Sequence, residues 1–352
     1  GRGRNAIIVG DPRQMPPTSF FNRAQAQEED CEQEQDMESI LDECIACGVP
    51  QLKLRWHYRS RSENLIAFSN KRYYEGQLVT FPSPATQDAA LQYHAVEGVY
   101  EKGSSRTNPK EARAVVNHVI ATLKAPGFEY NEMTSIGIVT FNIQQQELIA
   151  DMLDEARAAD PSLEPFFDEN LSEAVFVKNL ESVQGDERGV IYFSTTFGPD
   201  ATGVVSMNFG PLNQQGGERR LNVAITRSRA GMHVFSSLRP EMIDLSRTSA
   251  RGVADLRGFL EWSMRGSAAS SAASSSCSKF GDVVAAALSC RGWTCHKGVG
   301  VSDQRIELAV VHPHHPETYL AAIATDSLSP AISTRDRLKL RESVLSGLGW
   351  EL

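Results

Sequence analysis

Six cysteines among 352 residues are too few and too scattered to frame a disulfide scaffold. No apolar run reaches the ~18 residues that a membrane-spanning helix requires. These two absences exclude a small stapled secreted domain and a helical membrane protein, and they suit a reducing cytoplasm with no membrane partner. Cys44 and Cys47 form one CxxC with no second ligand pair at zinc-site spacing, so no structural zinc is expected there. Cys290, Cys295 and His296 beside a predicted helix end read as ordinary buried thiols and a surface imidazole. A secretory signal is missing too: GRGRNAIIVGD passes directly into an apolar strand-like run, as in a chain that starts mid-fold. Nor is there an excess of basic residues. Lys and Arg number 35 against 44 Asp and Glu, a formal net charge of −9 that speaks against a wholly basic nucleic-acid coat but leaves room for a local basic groove.

What is present is a hydrophobic content of 41%, enough for ordinary cores in two or three domains. Apolar β-prone runs recur as AIIVG, SIGIVTF, VIYFSTTF and MHVFSSL, alternating with helical stretches such as QQQELIADMLDEARAA. The alternation predicts an α/β fold over residues 1–245, a parallel sheet with flanking helices. AQAQEEDCEQEQDMES reads as a solvated loop ahead of the amphipathic ESILDECIACG. Residues 246–278 combine the helix VADLRGFLEWSM with the Ser/Ala-rich linker GSAASSAASSSCS. Residues 279–352 predict a small α/β domain: a helix with Phe280, Val283, Val284, Ala287 and Leu288 on one face, the strands RIELAVV and YLAAIAT, and the helix RDRLKLRESVL.

Four segments carry chemistry. IIVGDPRQMPP puts a turn directly after a strand, where open α/β sheets collect phosphate ligands, with Gln14 toward the cleft. LRWHYRSRSENLIAFSN offers Arg59, whose guanidinium matches phosphate oxygens or, alternatively, lays its stem on Tyr58. In VKNLESVQGDERGVIYFS, Gly185 allows close backbone approach and Gln184 and Glu187 supply polar groups before a buried strand, although a simple β-turn has the same pattern. GGERRLNVAITRSRAGMHVFSSL predicts an amphipathic helix carrying Arg220, Asn222, Thr226 and Arg227 into an apolar strand. An arginine such as Arg227 at a γ-phosphate stabilises the transition state by ~10³ to 10⁵ in rate; a solvated helix surface is the alternative.

In this order GDPRQMPP, HYRS, VQGDE and RRLNVAITR resemble motifs III, IV, V and VI of superfamily 1 helicases, in the branch similar to the nonsense-mediated-decay RNA helicase. The resemblance covers residues 1–245 and implies a RecA-like second motor domain. Gln14, Arg59, Glu187, Arg220 and Arg227 would face ATP with Mg²⁺ across a cleft between two such domains, with Arg227, Arg220 and Gln14 catalytic. Arg59, Gly185 and Glu187 would hold the nucleotide, Glu187 at its sugar. The resemblance also implies that Thr140, Asn142 and Gln144 lie along single-stranded nucleic acid, DNA being favoured. No GxxxxGK[ST] phosphate loop occurs, and no acidic magnesium motif precedes GDPRQ. The first motor domain, which would hold most of the Mg²⁺, is therefore expected upstream in a longer protein or in another chain, and this stretch alone is not expected to hydrolyse ATP. The LDEC at Leu41 to Cys44 comes too late in the order and reads as a solvated helix face.

Residues 279–352 resemble the very-short-patch-repair-like, restriction-endonuclease-like domain appended to some large bacterial helicases. That family binds divalent metal through a helical Glu, an Asp on the second strand and an acidic pair on the third. Here Gly281 stands at the helical position, Glu307 replaces the Asp and Ala324 takes the first place of the pair, leaving Glu307 and Asp326. Asp282 is one residue along the helix, ~100° away. These departures imply a degenerate domain that binds DNA without cutting it. Arg335, Arg337, Lys339 and Arg341 are its candidate phosphate contacts, or a solvated helix face. Two alternatives stand beside this reading: an active metal-dependent DNA endonuclease, and a non-catalytic module that recognises nucleic acid or protein.

Overall fold

The computed structural model describes residues 6–16, 39–168, 170–266, 278–302, 304–323 and 339–352. Five parallel strands, β1 (Leu91–Ala95), β2 (Ile136–Thr140), β3 (Phe176–Asn179), β4 (Arg188–Ser194) and β5 (Ser228–Ser236), form one sheet in the order β1-β5-β4-β2-β3. The predicted runs SIGIVTF, VIYFSTTF and MHVFSSL are its three central strands. The edge strands LQYHA and FVKN are short and partly polar, and carry too little periodicity to be read from sequence.

Among the described residues six helices accompany this sheet: α1 (Ile40–Ala46), α2 (Asn64–Tyr73), α3 (Pro109–Leu123), α4 (Ile143–Ala159), α5 (Gly217–Ile225) and α6 (Arg251–Arg265). Side chains alternate across the strands, as a sheet covered on both faces requires. Ile136, Ile138, Tyr192 and Phe235 pack with α3 and α4. Val139, Ile191, Phe193, Met232 and Val234 pack with α2, α5 and α6. The helix predicted from VADLRGFLEWSM thus enters the large core through Val253, Leu256, Phe259 and Leu260. α1 has no buried residue, as the reading of LDEC expects.

AIIVG is not the strand that its apolarity predicts. Residues 6–10 join neither sheet, and Ile7 and Val9 are 90% and 81% exposed. Apolar content marks a segment fit for a sheet but does not supply the neighbouring strand.

At the C-terminal edge of the sheet, Glu111 in the first turn of α3 is fully buried. Its carboxylate accepts hydrogen bonds from the Ser194 hydroxyl (2.7 Å), the Thr196 N–H (2.6 Å), and the Ser237 N–H (3.0 Å) and hydroxyl (3.1 Å). Asn108 caps the same helix end, accepting from the Glu111 N–H at 3.2 Å.

The small unit has an antiparallel sheet, β6 (Cys295–Val299), β7 (Ile306–Val311) and β8 (Tyr319–Ile323), with α7 (Lys279–Ser289) and α8 (Arg341–Gly347). Its core includes a residue from the other unit: Phe81, 2% exposed, packs with Ile306, Ala309, Leu345 and Trp350. The Trp350 indole N–H donates to the Pro82 carbonyl (2.8 Å), and the Tyr319 N–H to that of Pro84 (2.7 Å). α7 turns Gly281 and Ala285 inward and leaves Phe280 and Val283 64% and 67% exposed, against the predicted apolar face. Cys290, at the open end of α7, is exposed and Cys295, on an edge strand, is half-buried, so neither is the buried thiol expected.

Burial pushes the Glu111 carboxyl from its ordinary 4.5 up to about 7, against the opposing pull of its four donors. A raised folded-state pKa stabilises the fold fully below the ordinary value and loses that contribution as pH rises through the raised one. Urea unfolding of the wild type and Glu111→Gln from pH 4 to 8 should show the wild type losing on the order of 3 kcal/mol relative to the variant. A difference that stays constant with pH would show that Glu111 does not titrate in this interval.

Candidate functional site

The site lies at the opposite edge, where β4 and β5 begin. α5 starts at Gly216, which takes the left-handed φ of 74°, and at Gly217, where a Cβ would strike the Leu212 backbone. This tight entry sets the helix that carries Arg220 and Asn222. Arg227 lies beyond the helix, which ends at Ile225 with Thr226 as its cap, so the predicted helical position is corrected to the turn before β5. The cause is local: the Thr226 hydroxyl turns back to the Asn222 carbonyl (2.8 Å) and closes the helix.

Arg227 is 5% exposed. Its Nε donates to the Val223 carbonyl (2.7 Å) and its Nη2 to the Thr226 hydroxyl (3.1 Å), and among the described residues it forms no ion pair. Burial first, then repulsion from Arg59, holds its pKa below the usual guanidinium range, while Glu187, Tyr74 and Asp186 act the other way. Arg59 pairs with Glu187 at 3.1 Å, and Glu187 also meets Arg229 at 3.2 Å. Arg229 in turn pairs with Glu173. Arg220 is 4% exposed, with the Glu181 carboxylate at 3.6 Å and the Gln215 carbonyl at 3.3 Å. Gly185 takes φ 93° in the exposed turn before β4, a conformation that an L side chain would strain.

The GDPRQ turn is tied to the same place. Asp11 accepts from the Gln14 amide (3.0 Å) and the Tyr74 hydroxyl (2.7 Å). Asn222 donates to Tyr74 (3.2 Å) and to the Arg13 carbonyl (2.9 Å), and Gln184 to the Met15 carbonyl (3.0 Å). Gln14, Arg59, Glu187 and Arg227 are therefore brought into one neighbourhood, with Arg220 on the adjoining helix.

Thr140, Asn142 and Gln144 stand at the other end of the strands. Thr140 is fully buried and donates to the Asn142 carbonyl (2.8 Å). Asn142 caps α4 through the Gln145 N–H (2.8 Å) and donates to the Arg106 carbonyl (2.9 Å). Gln144 is half-exposed. In the small unit, Glu307 accepts from the Ser278 N–H (2.8 Å), and Asp282 pairs with Lys297 (2.6 Å). Asp326, Ala324, Arg335 and Arg337 lie outside the described residues. Lys339 is exposed, but Arg341 is buried and donates to the Arg305 carbonyl (2.9 Å), so it is not the surface phosphate contact expected. Burial lowers its pKa.

Sequence reasoning missed Tyr74, Asp11, Arg229, Glu173 and Glu181. Asp11, Glu181 and Arg229 sit inside the recognised segments, three, three and two residues from Gln14, Gln184 and Arg227, and proximity could have flagged them. Tyr74 and Glu173 carry no local signal.

Residues 37–239 match the family model AAA_12, described as an AAA domain, and residues 280–352 match REase_MTES_1575. The uncharacterized ATP-dependent helicase MG140 homolog of Mycoplasma pneumoniae is 34% identical over 251 residues, 68% of this chain and 21% of that protein. The 5'-3' DNA helicase ZGRF1 of Mus musculus is 28% identical over 240 residues, 66% of this chain and 11% of its own. The regulator of nonsense transcripts 1 homolog of Arabidopsis thaliana is 25% identical over 249 residues, 66% and 18% respectively. The chain thus spans about a fifth or less of the length of these curated relatives.

If Tyr74 holds the GDPRQ turn, Tyr74→Phe removes two hydrogen bonds, worth ~1 kcal/mol each. Trypsin should then cut after Arg13 several-fold faster than in the wild type. An unchanged cleavage rate would mean that the turn is held without this hydroxyl.

Proposed function

Because the chain belongs to the AAA_12 family of AAA domains, within the superfamily 1 helicases, and carries a REase-type domain after it, we propose that it forms the second motor half of an ATP-driven helicase or translocase acting on single-stranded nucleic acid, DNA by preference, in the cytoplasm. The observation that carries this reading is the desolvated Arg227 guanidinium, without an ion-pair partner among the described residues and repelled by Arg59. Arg227 has no ion-pair partner among the described residues and Arg59 shares the Glu187 carboxylate with Arg229; a triphosphate has the charge and the oxygens to serve both guanidiniums.

The residues fit ATP with Mg²⁺ in their donor chemistry. The bound nucleotide supplies the phosphoryl group to be cleaved. Arg59 would leave its partly solvated pair with Glu187 for a phosphate oxygen, freeing the Glu187 carboxylate to accept from a sugar hydroxyl. Arg227 would stabilise charge developing at the γ-phosphate, Arg220 would add positive potential, and Gln14, steadied by Asp11, would present its amide to the same region. The turn at Gly185 would allow close backbone approach. A phosphate-loop domain supplied by a longer protein or another chain would complete the cleft and hold most of the Mg²⁺. Gln144, with the backbone around Thr140 and Asn142, would line the nucleic-acid path at the other edge.

We read the small domain as DNA-binding and not cleaving, because Glu307 is engaged by the Ser278 N–H, Gly281 puts no carboxylate at the inward-facing position of α7, and the neighbouring Asp282 pairs with Lys297. Measured on the longer protein with single-stranded DNA, ATP turnover of Arg227→Ala should fall by ~10³ or more while nucleotide affinity changes far less. Turnover equal to that of the wild type would overturn the assignment.

A further inference from the structure

We propose that His94, His118 and His233 form a binding site for one divalent transition-metal ion of the zinc, cobalt and nickel class, held by three imidazole nitrogens with water completing the shell. The three residues come from three elements. His94 is on the edge strand β1, His233 on its neighbour β5, and His118 on α3, which covers that face of the sheet. One ring nitrogen from each lies within 4.8 Å of the other two. No other group of three His, Cys, Asp or Glu residues meets this criterion among the described residues.

The geometry is close to what such an ion needs. With metal–nitrogen bonds of about 2.0–2.1 Å, tetrahedral ligands stand roughly 3.3 Å apart. His94 Nε2 and His233 Nδ1 are already 3.0 Å apart, and with all three ligand atoms within 4.8 Å of one another the ring of His118 has at most about 1.5 Å to close. All three side chains are half-buried, which leaves a path for the ion and removes competing bulk water from most of each ring. The ligand set also defines the ion class. Three neutral imidazoles and no carboxylate suit zinc, cobalt, nickel or copper, and exclude the oxygen-seeking Mg²⁺ and Ca²⁺.

Two further features favour ligation. Burial, and the neighbouring rings in turn, lower the pKa values of His94 and His233, that of His233 to about 4, and burial lowers that of His118; the rings are therefore neutral near pH 7, the state that binds metal. His118 Nδ1 is 3.3 Å from the Tyr192 hydroxyl, itself 2.8 Å from the Thr122 hydroxyl, an outer layer that fixes the ring. The proton shared between His94 and His233 must move to the distal nitrogen of its own ring when both facing nitrogens bind. The imidazoles stay neutral and no net proton is lost.

The site is separate from the arginine cluster. His233 is six residues along β5 from Arg227 (233 − 227), roughly 20 Å at strand rise. Bound metal would fasten an edge strand and a covering helix to the centre of the sheet, and the proposal does not depend on the motor reading.

The test uses the whole 352-residue chain stripped with EDTA. Titration with Co²⁺ should give one equivalent bound, with the visible d–d absorption of a four-coordinate site, bleached by Zn²⁺, and Zn²⁺ should raise Tm. His118→Gln and, separately, His94→Gln should lose the band while keeping the wild-type circular dichroism. His312→Gln is the control, because His312, His314 and His315 form a second imidazole-rich place on an exposed turn. A wild type without the band, a band that survives in a folded His118→Gln or His94→Gln, or one lost in His312→Gln would overturn the proposal. Should His118→Gln fail to fold, the edge-strand variant His94→Gln decides.

Discussion

The buried carboxylate of Glu111 governs one whole edge of the large sheet. Where β4 and β5 end, the chain must turn away and leave backbone N–H groups without strand partners, and Glu111 collects those of Thr196 and Ser237 together with two hydroxyls. The network extends sideways. Gln145 accepts from the Asn108 N–H (2.8 Å) and donates to the Asn108 carbonyl (3.2 Å) and the Ser194 hydroxyl (3.3 Å), so α3, α4, β4 and β5 share one set of bonds. Thr196 sits at φ 64°, unfavourable for a β-branched residue by ~1–2 kcal/mol, and its N–H is held there by Glu111. A buried network of this kind is strong only when every member is satisfied, so the loops after β2, β4 and β5 are fixed together.

The other edge is built on a different principle. Arg59, Glu187, Arg229 and Glu173 form an alternating row of charges, and its Arg59 end is partly solvated, with side chains 47% and 33% exposed at the Arg59–Glu187 pair. Such exposed pairs contribute little to stability and exchange partners at little cost. Arg227 behind them is desolvated, and its side-chain hydrogen bonds among the described residues go to Val223 and Thr226. The same two strands, β4 and β5, thus connect a rigid hydrogen-bonded edge to a rearrangeable ionic one. On the motor reading, these are the nucleic-acid and nucleotide edges.

The order of the four segments and the three central strands were legible because both depend on local pattern: apolar runs of strand length, and polar residues at fixed offsets. Other features depend on partners that local pattern does not reveal. Phe81 lies in a Pro-containing stretch without helix or strand pattern, yet it completes a core whose other buried members begin at Ile306, 225 residues later (306 − 81). The exposed Ile7 and Val9 have the composition of a strand and no neighbour in either sheet. Glu111 reads as one acidic residue in a helix's first turn, and His94, His118 and His233 as three unrelated imidazoles, until parallel pairing and the crossing of α3 bring them together. On α7, Gly281 and Ala285 face inward while the larger Phe280 and Val283 face out, a choice that apolarity alone does not predict.

The GDPRQ turn and Arg227 are connected by one contiguous hydrogen-bond path. Gln14 and Tyr74 both donate to Asp11, Asn222 donates to Tyr74, the Thr226 hydroxyl donates to the Asn222 carbonyl, and Arg227 donates to Thr226. Each step is between 2.7 and 3.2 Å. Residues 11–15 are thus bound to this domain, while the preceding apolar run stands free of its sheets. If that run belongs to the sheet of a first motor domain, the turn spans the two halves, and any displacement of one relative to the other must either stretch this path or move Arg227. A path of bonds becomes coupling only when its members have two arrangements to choose between. No member of this path shows such a choice by itself; on the motor reading the neighbouring Arg59, in its partly solvated pair with Glu187, would supply it by exchanging the carboxylate for a phosphate.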